Sequence, residues 1–490
     1  MKGARSKSVT AQTLASEAQK LRAAGGRIRF AYAWSPNRDD DVELRYLVAV
    51  PNQREFDMWT LKAAHNVPSI ARIWPALGWY EREMMDLNGV HFTDHPEPYP
   101  LVLRHGDFPH INGHDFVESP RSRSRSHLPT IDAPEIQQLP FGPIRADVLE
   151  SAEFTFFYVG EHIIHYQPSL FFKHRGMEKR FEGSPTDRAV VIAERVSGVG
   201  TVAHALAYCE AVERAAGCEA PVRARMLRVL VAELERLYNH LHYLGHLCHT
   251  TTLKVGEAQG KLLEERAKQL NARLTGSRFL RSILVPGGMR RDLAPETWLG
   301  EALEALRVEF VAYVERLEAS DSHLDRLITT GPLPRRIAFD QGATGPIERA
   351  SGVDRDLRRD HPYAHYAELP LTVPIFTEGD AYARQRVRIA EAEAAFVLCQ
   401  RVLLLLEPGE VRAECVPGPH SEGLGWAEGP RGALFYAVHV AGDGRLARVK
   451  IKSPSFSNWK PFPFTVHDSN MMDYAINEAS FGLTVAGCDR

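Results

Sequence analysis

Between Pro221 and Leu247, Met226, Leu227, Leu230, Leu234, Leu237, Leu241, Leu244 and Leu247 recur every one to four residues. That spacing predicts a long α-helix with an apolar stripe, stable only when other elements cover it. Pro221 suits the first turn. Around it the sequence predicts helices over Val196–Ala216, Lys261–Leu274, Glu296–Ile328 and Ala381–Leu406. Strands are expected at Glu153–Val159 and Glu161–Tyr166, joined at Gly160. A second pair, Leu434–Val440 and Arg445–Ile451, flanks the turn Gly442-Asp443-Gly444.

The first 112 residues read differently. The N-terminal segment, with Ala11–Ala24, reads as a first helix, because it has charges but no apolar core that would make it a signal peptide. Two apolar runs, Arg27–Trp34 and Leu44–Val50, flank the turn-rich Ser35–Asp41. Helices are expected at Glu55–Ala64 and Ser69–Leu87, the second stopping near Asn88-Gly89. The fold class is α+β: a small α+β domain over 1–112, a linker over 113–138, and a mainly helical domain with peripheral β-hairpins over 139–490. The linker holds Arg121, Arg123 and Arg125 alternating with serines, a solvated run in an otherwise neutral chain.

Charge and cysteines exclude several functions. Lys and Arg total 59 against 62 Asp and Glu, a balance unlike that of a strongly basic nucleic-acid binder. No uninterrupted apolar window approaches 18 residues; the longest run, Ala394–Leu406, is broken by Cys399, Gln400 and Arg401. A cytosolic chain is expected. The six cysteines are 9, 30, 151, 16 and 73 residues apart, too scattered for a local zinc or iron–sulfur site. His242, His246 and His249 share a helix face, but they adjoin the leucine stripe without the glutamate of a metalloprotease motif and read as a polar flank. Gly423-Leu-Gly425-Trp-Ala-Glu-Gly429 nearly matches a dinucleotide fingerprint; it precedes a strand and has its last glycine one place late, so it reads as a loop before a hairpin.

Several motifs, taken in order, carry a resemblance. They are Trp79-Tyr-Glu-Arg-Glu-Met-Met-Asp-Leu87 with His95-Pro96, His174-Arg-Gly-Met-Glu-Lys179, Glu194-Arg-Val-Ser-Gly-Val-Gly-Thr-Val-Ala-His204, Gly287-Gly-Met-Arg-Arg-Asp-Leu293, Arg349-Ala-Ser-Gly352, Asp360-His-Pro362 and Pro430-Arg-Gly432. Over nearly its whole length the chain resembles the large subunit of energy-converting [NiFe] hydrogenases of the formate hydrogenlyase type. It is similarly related to the 49-kDa subunit of respiratory complex I, and its N-terminal part resembles the 30-kDa subunit.

In those hydrogenases four cysteines hold nickel and iron. The resemblance places Ser197, Gly200, Thr484 and Gly487 at their positions, with Cys488 one residue out of place. A hydroxyl and a hydrogen do not replace soft thiolates, so a [NiFe] centre is not expected. Complex I has suffered the same loss and uses the cavity for quinone, with a histidine and a tyrosine on the head group; here Arg145 and Gly198 occupy those positions.

The resemblance thus implies a complex-I-like, membrane-associated oxidoreductase subunit, inactive as an isolated chain. It sits peripherally on the cytoplasmic face of the inner membrane. Its expected partners are a small iron–sulfur subunit with a [4Fe-4S] cluster and antiporter-like membrane subunits, with no nucleic acid. Its own cysteines bind no cofactor, and NAD enters only through the assembly, if it is used. The expected site comprises Glu178, Arg195 and His204 as catalytic groups, with Arg145, Ser197, Gly198 and Gly200 around a quinone-like acceptor. Glu178 has two readings: an ion pair with Arg175, Lys179 and Arg180 that fastens its loop, or a proton relay, its role in the resembling hydrogenases. The alternative for the whole chain is a redox-inactive structural subunit of the same assembly.

Overall fold

The computed structural model describes the chain except residues 36–41, 63–65, 104–127, 130, 132, 146–149 and 296–297. Most of the turn expected at 35–41, the Arg-Ser run and much of the expected linker lie outside the described residues.

The N-terminal part is a four-stranded sheet of Ala4–Ser8, Phe56–Lys62, Glu43–Ala49 and Arg27–Trp34, in that spatial order. The first pair is parallel and the others antiparallel. Two expectations change here. Ala4–Ser8, in the segment read as part of a first helix, is a strand, while the helix expected at Ala11–Ala24 is found at Ala11–Ala23, where Thr10 and Thr13 form a capping box. Phe56–Lys62 is a strand instead of the helix expected over Glu55–Ala64; pairing on both edges and burial of Phe56, Met58, Trp59 and Leu61 override local propensity. The helix expected from Ser69 begins at Gly78, after a 3-10 turn at Pro75–Leu77, and ends at Gly89 with φ 66°.

The stripe helix, Val222–Thr250, is covered on several sides within the chain, by Lys254–Thr275, Ala381–Leu405 and Tyr474–Phe481. Leu227, Leu230, Leu241, Leu244 and Leu247 are all fully buried, each contributing about 1.5–3 kcal/mol. A Cβ on Gly260 would lie 2.6 Å from Gly245 Cα, so this helix and the next touch backbone to backbone. The helix expected over Glu296–Ile328 is two, Leu299–Glu318 and Asp321–Leu327, separated at Ala319-Ser320. Likewise the helix expected from Val196 starts at Thr201, leaving 196–200 as loop.

The segment expected to be a loop before the hairpin, Glu422–Gly429, is a strand of a three-stranded antiparallel sheet with Gly432–Val440 and Leu446–Lys452. Its glycines serve packing. A Cβ on Gly423 would stand 2.0 Å from the Ala211 carbonyl oxygen, and one on Gly425 2.0 Å from that of Ala207. The alanine-rich Thr201–Ala216 helix thus lies directly on strand backbone. The fully buried middle strand also meets the N-terminal sheet: Phe30 packs on Phe435, Trp34 stacks on His439 at 4.0 Å, and Arg45 forks onto Glu422 at 2.8 and 3.0 Å. A buried ion cluster closes the other end of this sheet. Arg349 binds Glu391 at 2.5 Å, Arg358 binds Asp356 at 2.7 Å and Glu233 at 3.1 Å, and Arg236 donates to the Glu428 carbonyl at 2.7 Å.

Candidate functional site

Four segments distant in sequence meet around a cavity of about 320 Å³, mouth included. Ser197 and Gly200 come from the loop before the Thr201–Ala216 helix. Arg431 comes from the turn between two strands, Ser453 and Ser455 from the start of the Pro454–Asn458 helix, and Thr484 and Gly487 from the last turn of the chain. The four positions matched to metal-binding cysteines therefore line one space. A Cβ added to Gly487 would lie 2.6 Å from Thr484 Oγ1 and 3.5 Å from both Ser197 Oγ and Ser455 Oγ. Ser455 and Thr484 share a hydrogen bond of 3.0 Å.

Three buried or half-buried side chains hold this geometry. Arg175 donates to the Arg195 and Val196 carbonyls at 3.1 and 2.6 Å, and to the Ala486 carbonyl at 3.0 Å, strapping the two ligand-position loops together. Glu150 accepts the Val485 and Ala486 amides at 2.5 and 2.9 Å. Glu235 accepts those of Val202 and Ala203 at 2.7 and 2.9 Å, capping the helix that carries His204. Burial lifts the Glu235 carboxyl to about 7, against the pull of those two amides.

His204 lines the cavity, and its Nδ1 lies 2.8 Å from the Tyr436 hydroxyl. Burial, and then the Arg175 charge, push its imidazole down to about 3, so it is neutral at physiological pH. Arg431 donates through Nε to the Gly482 carbonyl and through Nη1 to Asn239, both at 2.7 Å. Its half-buried charge sits at the cavity wall.

Of the expected site residues, Ser197, Gly200, His204, Thr484 and Gly487 line the cavity; the others stand elsewhere. Gly198 is exposed, with nothing within 4 Å of an added Cβ. Arg195 is an exposed side chain bonded to the Val191 carbonyl at 3.0 Å. Arg145 pairs with Glu478 at 3.2 Å and lies over the Phe154 ring at 4.6 Å. Glu178 is behind the wall, and the cations around it are not those expected. It contacts Lys450 at 3.1 Å, Arg490 at 3.5 Å and the Ile451 amide at 3.0 Å, while Arg175 straps the loops and Lys179 pairs with Glu182. Burial raises the Glu178 carboxyl, but Lys450, Arg490 and Arg448 outweigh it and hold it below the usual range.

The motifs Pro430-Arg-Gly432 and His174-Arg-Gly-Met-Glu-Lys179 contain Arg431 and Arg175, but sequence reasoning does not place either at the site. Nothing local in the sequence marks Ser453, Ser455 or Glu150. His242, His246 and His249 form a row of parallel rings on an exposed helix face, with Glu264 and Glu257 each 3.1 Å from the outer two.

Comparison with known proteins gives the same lineage throughout. Residues 262–417 and 414–490 match the 49-kDa subunit of respiratory-chain NADH dehydrogenase, 8–117 match its 30-kDa subunit, and 175–275 match nickel-dependent hydrogenase. Formate hydrogenlyase subunit 5 of Escherichia coli (strain K12) is 32% identical over 421 residues, covering 83% of this chain and 74% of that protein. The fused C/D polypeptide of the NADH-quinone oxidoreductase of Acidiphilium cryptum (strain JF-5) is 27% identical, covering 92% and 83%. A chain in the solved structure of the membrane-bound sulfane sulfur reductase, an archaeal respiratory membrane complex, superposes with a TM-score of 0.69 at 26% identity, over 73% of this chain and 99% of that one. Among the described residues no helix is long and apolar enough to cross a membrane. The chain belongs to the family of complex I 49-kDa subunits and hydrogenase large subunits of the formate hydrogenlyase type, with a domain like the complex I 30-kDa subunit at its N-terminal end.

Proposed function

We propose that this chain is the cavity-bearing subunit of a membrane-associated, complex-I-like oxidoreductase in which a quinone-like acceptor takes the space that nickel and iron fill in hydrogenases. The observation that carries this reading is the convergence of Ser197, Gly200, Thr484 and Gly487 on one cavity. The donor set at those positions is two hydroxyls and two hydrogens. It does not fit a [NiFe] centre, which needs ionised soft thiolates. Cys488, next in sequence to Gly487, is buried off the cavity wall, and burial pushes its thiol well above the usual range. The relatives' names support the same class: NADH-quinone oxidoreductase and a respiratory membrane complex.

A [4Fe-4S] cluster held by a small partner subunit would supply the electrons; the six cysteines of this chain are separate free thiols. Two electrons from that cluster, delivered one at a time, and two protons drawn from solvent water would convert a quinone to its hydroquinone. Arg431 supplies a fixed positive charge and His204 a neutral imidazole that hydrogen-bonds a carbonyl oxygen. Arg145, engaged by Glu478, is not needed at the head group. The test is binding of a water-soluble quinone analogue to the assembly purified through a tag on this chain. Saturable binding that is lost in Gly200→Phe, which fills the cavity beside His204, supports the reading; a cavity that binds no analogue assigns the chain to the redox-inactive structural class.

A further inference from the structure

A second, narrow pocket, about 360 Å³ when the space open to solvent is included, lies between the N-terminal sheet and the main body, apart from the site above. Its wall carries four cationic side chains, Arg27, Arg29, Lys452 and Lys460, with the hydroxyls of Tyr80 and Ser457, and no carboxylate. These residues come from three different parts of the chain, so only the folded, docked pair of domains brings them together. No single stretch of the sequence announces the charge.

The cations are only partly matched by counter-charges in direct contact. Arg27 is paired by Glu348 at 2.8 Å through Nη1, but its Nε is buried without a hydrogen-bond partner. Arg29 makes no hydrogen bond or ion pair among the described residues; it lies 5.6 Å from the Phe435 ring and acts on the Glu348 carboxylate only at longer range. Lys452 is 2% exposed and donates to one group only, the Ala433 carbonyl at 2.7 Å. Lys460 donates to the Pro75 carbonyl. Burial, together with the charges of Arg29 and Arg27, pulls the Lys452 ammonium well down, and burial lowers that of Lys460 to about 8. Glu348 is the carboxylate in direct contact, and Glu428, Glu81, Glu97 and Asp340 act on the same cations from farther off without lining the pocket. The lining itself keeps the two guanidinium groups and Lys460 as positive charges, an arrangement that focuses field on an anion. Such crowding is unfavourable in the free protein and is relieved by a bound polyanion.

We propose that this interdomain pocket binds a small, soluble phosphate-bearing anion, gripped by Arg27 and Arg29 from the N-terminal sheet and by Lys452 and Lys460 from the main body. Guanidinium forks suit phosphate oxygens bidentately, and ammonium groups add compact point charges. A ligand held from both sides ties the two domains together, so its occupancy is coupled to their docking.

The experiment is calorimetric titration of inorganic pyrophosphate into the assembly purified through a tag on this chain, with thermal unfolding measured in parallel. The comparison is with Arg29→Gln and Lys452→Met. Arg29 is the safer variant for folding, since the only direct contact removed is with a ring. The expected result is saturable binding that weakens as salt is raised, raises the unfolding temperature, and falls at least tenfold in Arg29→Gln with circular dichroism unchanged. Three results overturn the proposal: no saturable heat, binding of equal strength in both variants, or stabilisation equalled by sodium chloride at the same ionic strength. A fourth is a pocket closed by a carboxylate of a partner subunit, seen as pyrophosphate binding to this chain alone but never to the assembly.

Discussion

Ser197 and Gly487, 290 positions apart in the chain, face each other across the cavity: a Cβ on Gly487 would stand 3.5 Å from Ser197 Oγ. A sulfur in place of that Oγ would lie beside a Cβ at 487, near enough for the two halves of a disulfide to meet after a small shift. It follows that Ser197→Cys combined with Gly487→Cys, with Thr484→Ala to clear the space that Thr484 Oγ1 now takes, forms a cross-link under mild oxidation. Loss of both free thiols by mass spectrometry of the folded protein checks this; two thiols that stay reduced and unlinked would mean the loops do not meet.

The donor set makes a prediction about metal. Elemental analysis of the purified assembly is expected to show nickel far below one per chain, and hydrogen uptake is expected to be absent. Near-stoichiometric nickel that survives chelation contradicts it.

Arg175 is the strap between the loops. Arg175→Met removes three charge-assisted hydrogen bonds to carbonyl groups. The expected loss is about 2–3 kcal/mol, the size of one to two such bonds net of hydration, read as a lower urea midpoint and faster proteolysis near Gly198. An unchanged midpoint shows that the loops hold themselves.

Glu235 gives a pH dependence with a defined sign. Its folded value, about 7, lies above the ordinary 4.5, so the folded state favours the protonated form. Its contribution to stability is present below 4.5 and fades as pH rises to 7, by about 3 kcal/mol at 1.36 kcal/mol per unit. The stability difference between wild type and Glu235→Gln is therefore expected to fall steadily from pH 4.5 to 7 and then level off. A difference that is flat with pH, or that grows, excludes the assignment.

The contacts of Glu178 with Lys450 and Arg490 favour the ion-pair reading over the proton relay. In Glu178→Gln, Lys450 and Arg490 keep Glu83, at 2.8 and 2.7 Å, but lose a second counter-charge. Weaker folding by about 3 kcal/mol is expected, with turnover per assembled complex unchanged. Normal assembly with collapsed turnover is the result that restores the proton-relay role.

Much of this was legible in the sequence, for physical reasons that differ by element. The stripe from Met226 to Leu247 and the glycine stop at Gly89 are local signals, and both hold. An ungapped match of the C-terminal segment at Asp489-Arg490 singles out Thr484 and Gly487, and both line the same cavity as Ser197. Phe56–Lys62 and Glu422–Gly429 were misread because their states depend on distant partners: two flanking strands in one case, an alanine-rich helix against glycines in the other. The charge partners of Glu178 were misassigned for the same reason, since Lys450 and Arg490 are about 270 and 310 residues away. The apolar stripe of the Val222–Thr250 helix, which the sequence says other elements must cover, is covered inside the chain.

The most direct measurement is reoxidation of the reduced iron–sulfur clusters in the purified assembly by a water-soluble quinone, followed by stopped-flow absorbance. Wild type is expected to reoxidise quickly and saturably, whereas Gly200→Phe, with the same cluster content, slows at least tenfold. Equal rates in the two proteins, or clusters that stay reduced in both, would contradict electron transfer through this cavity.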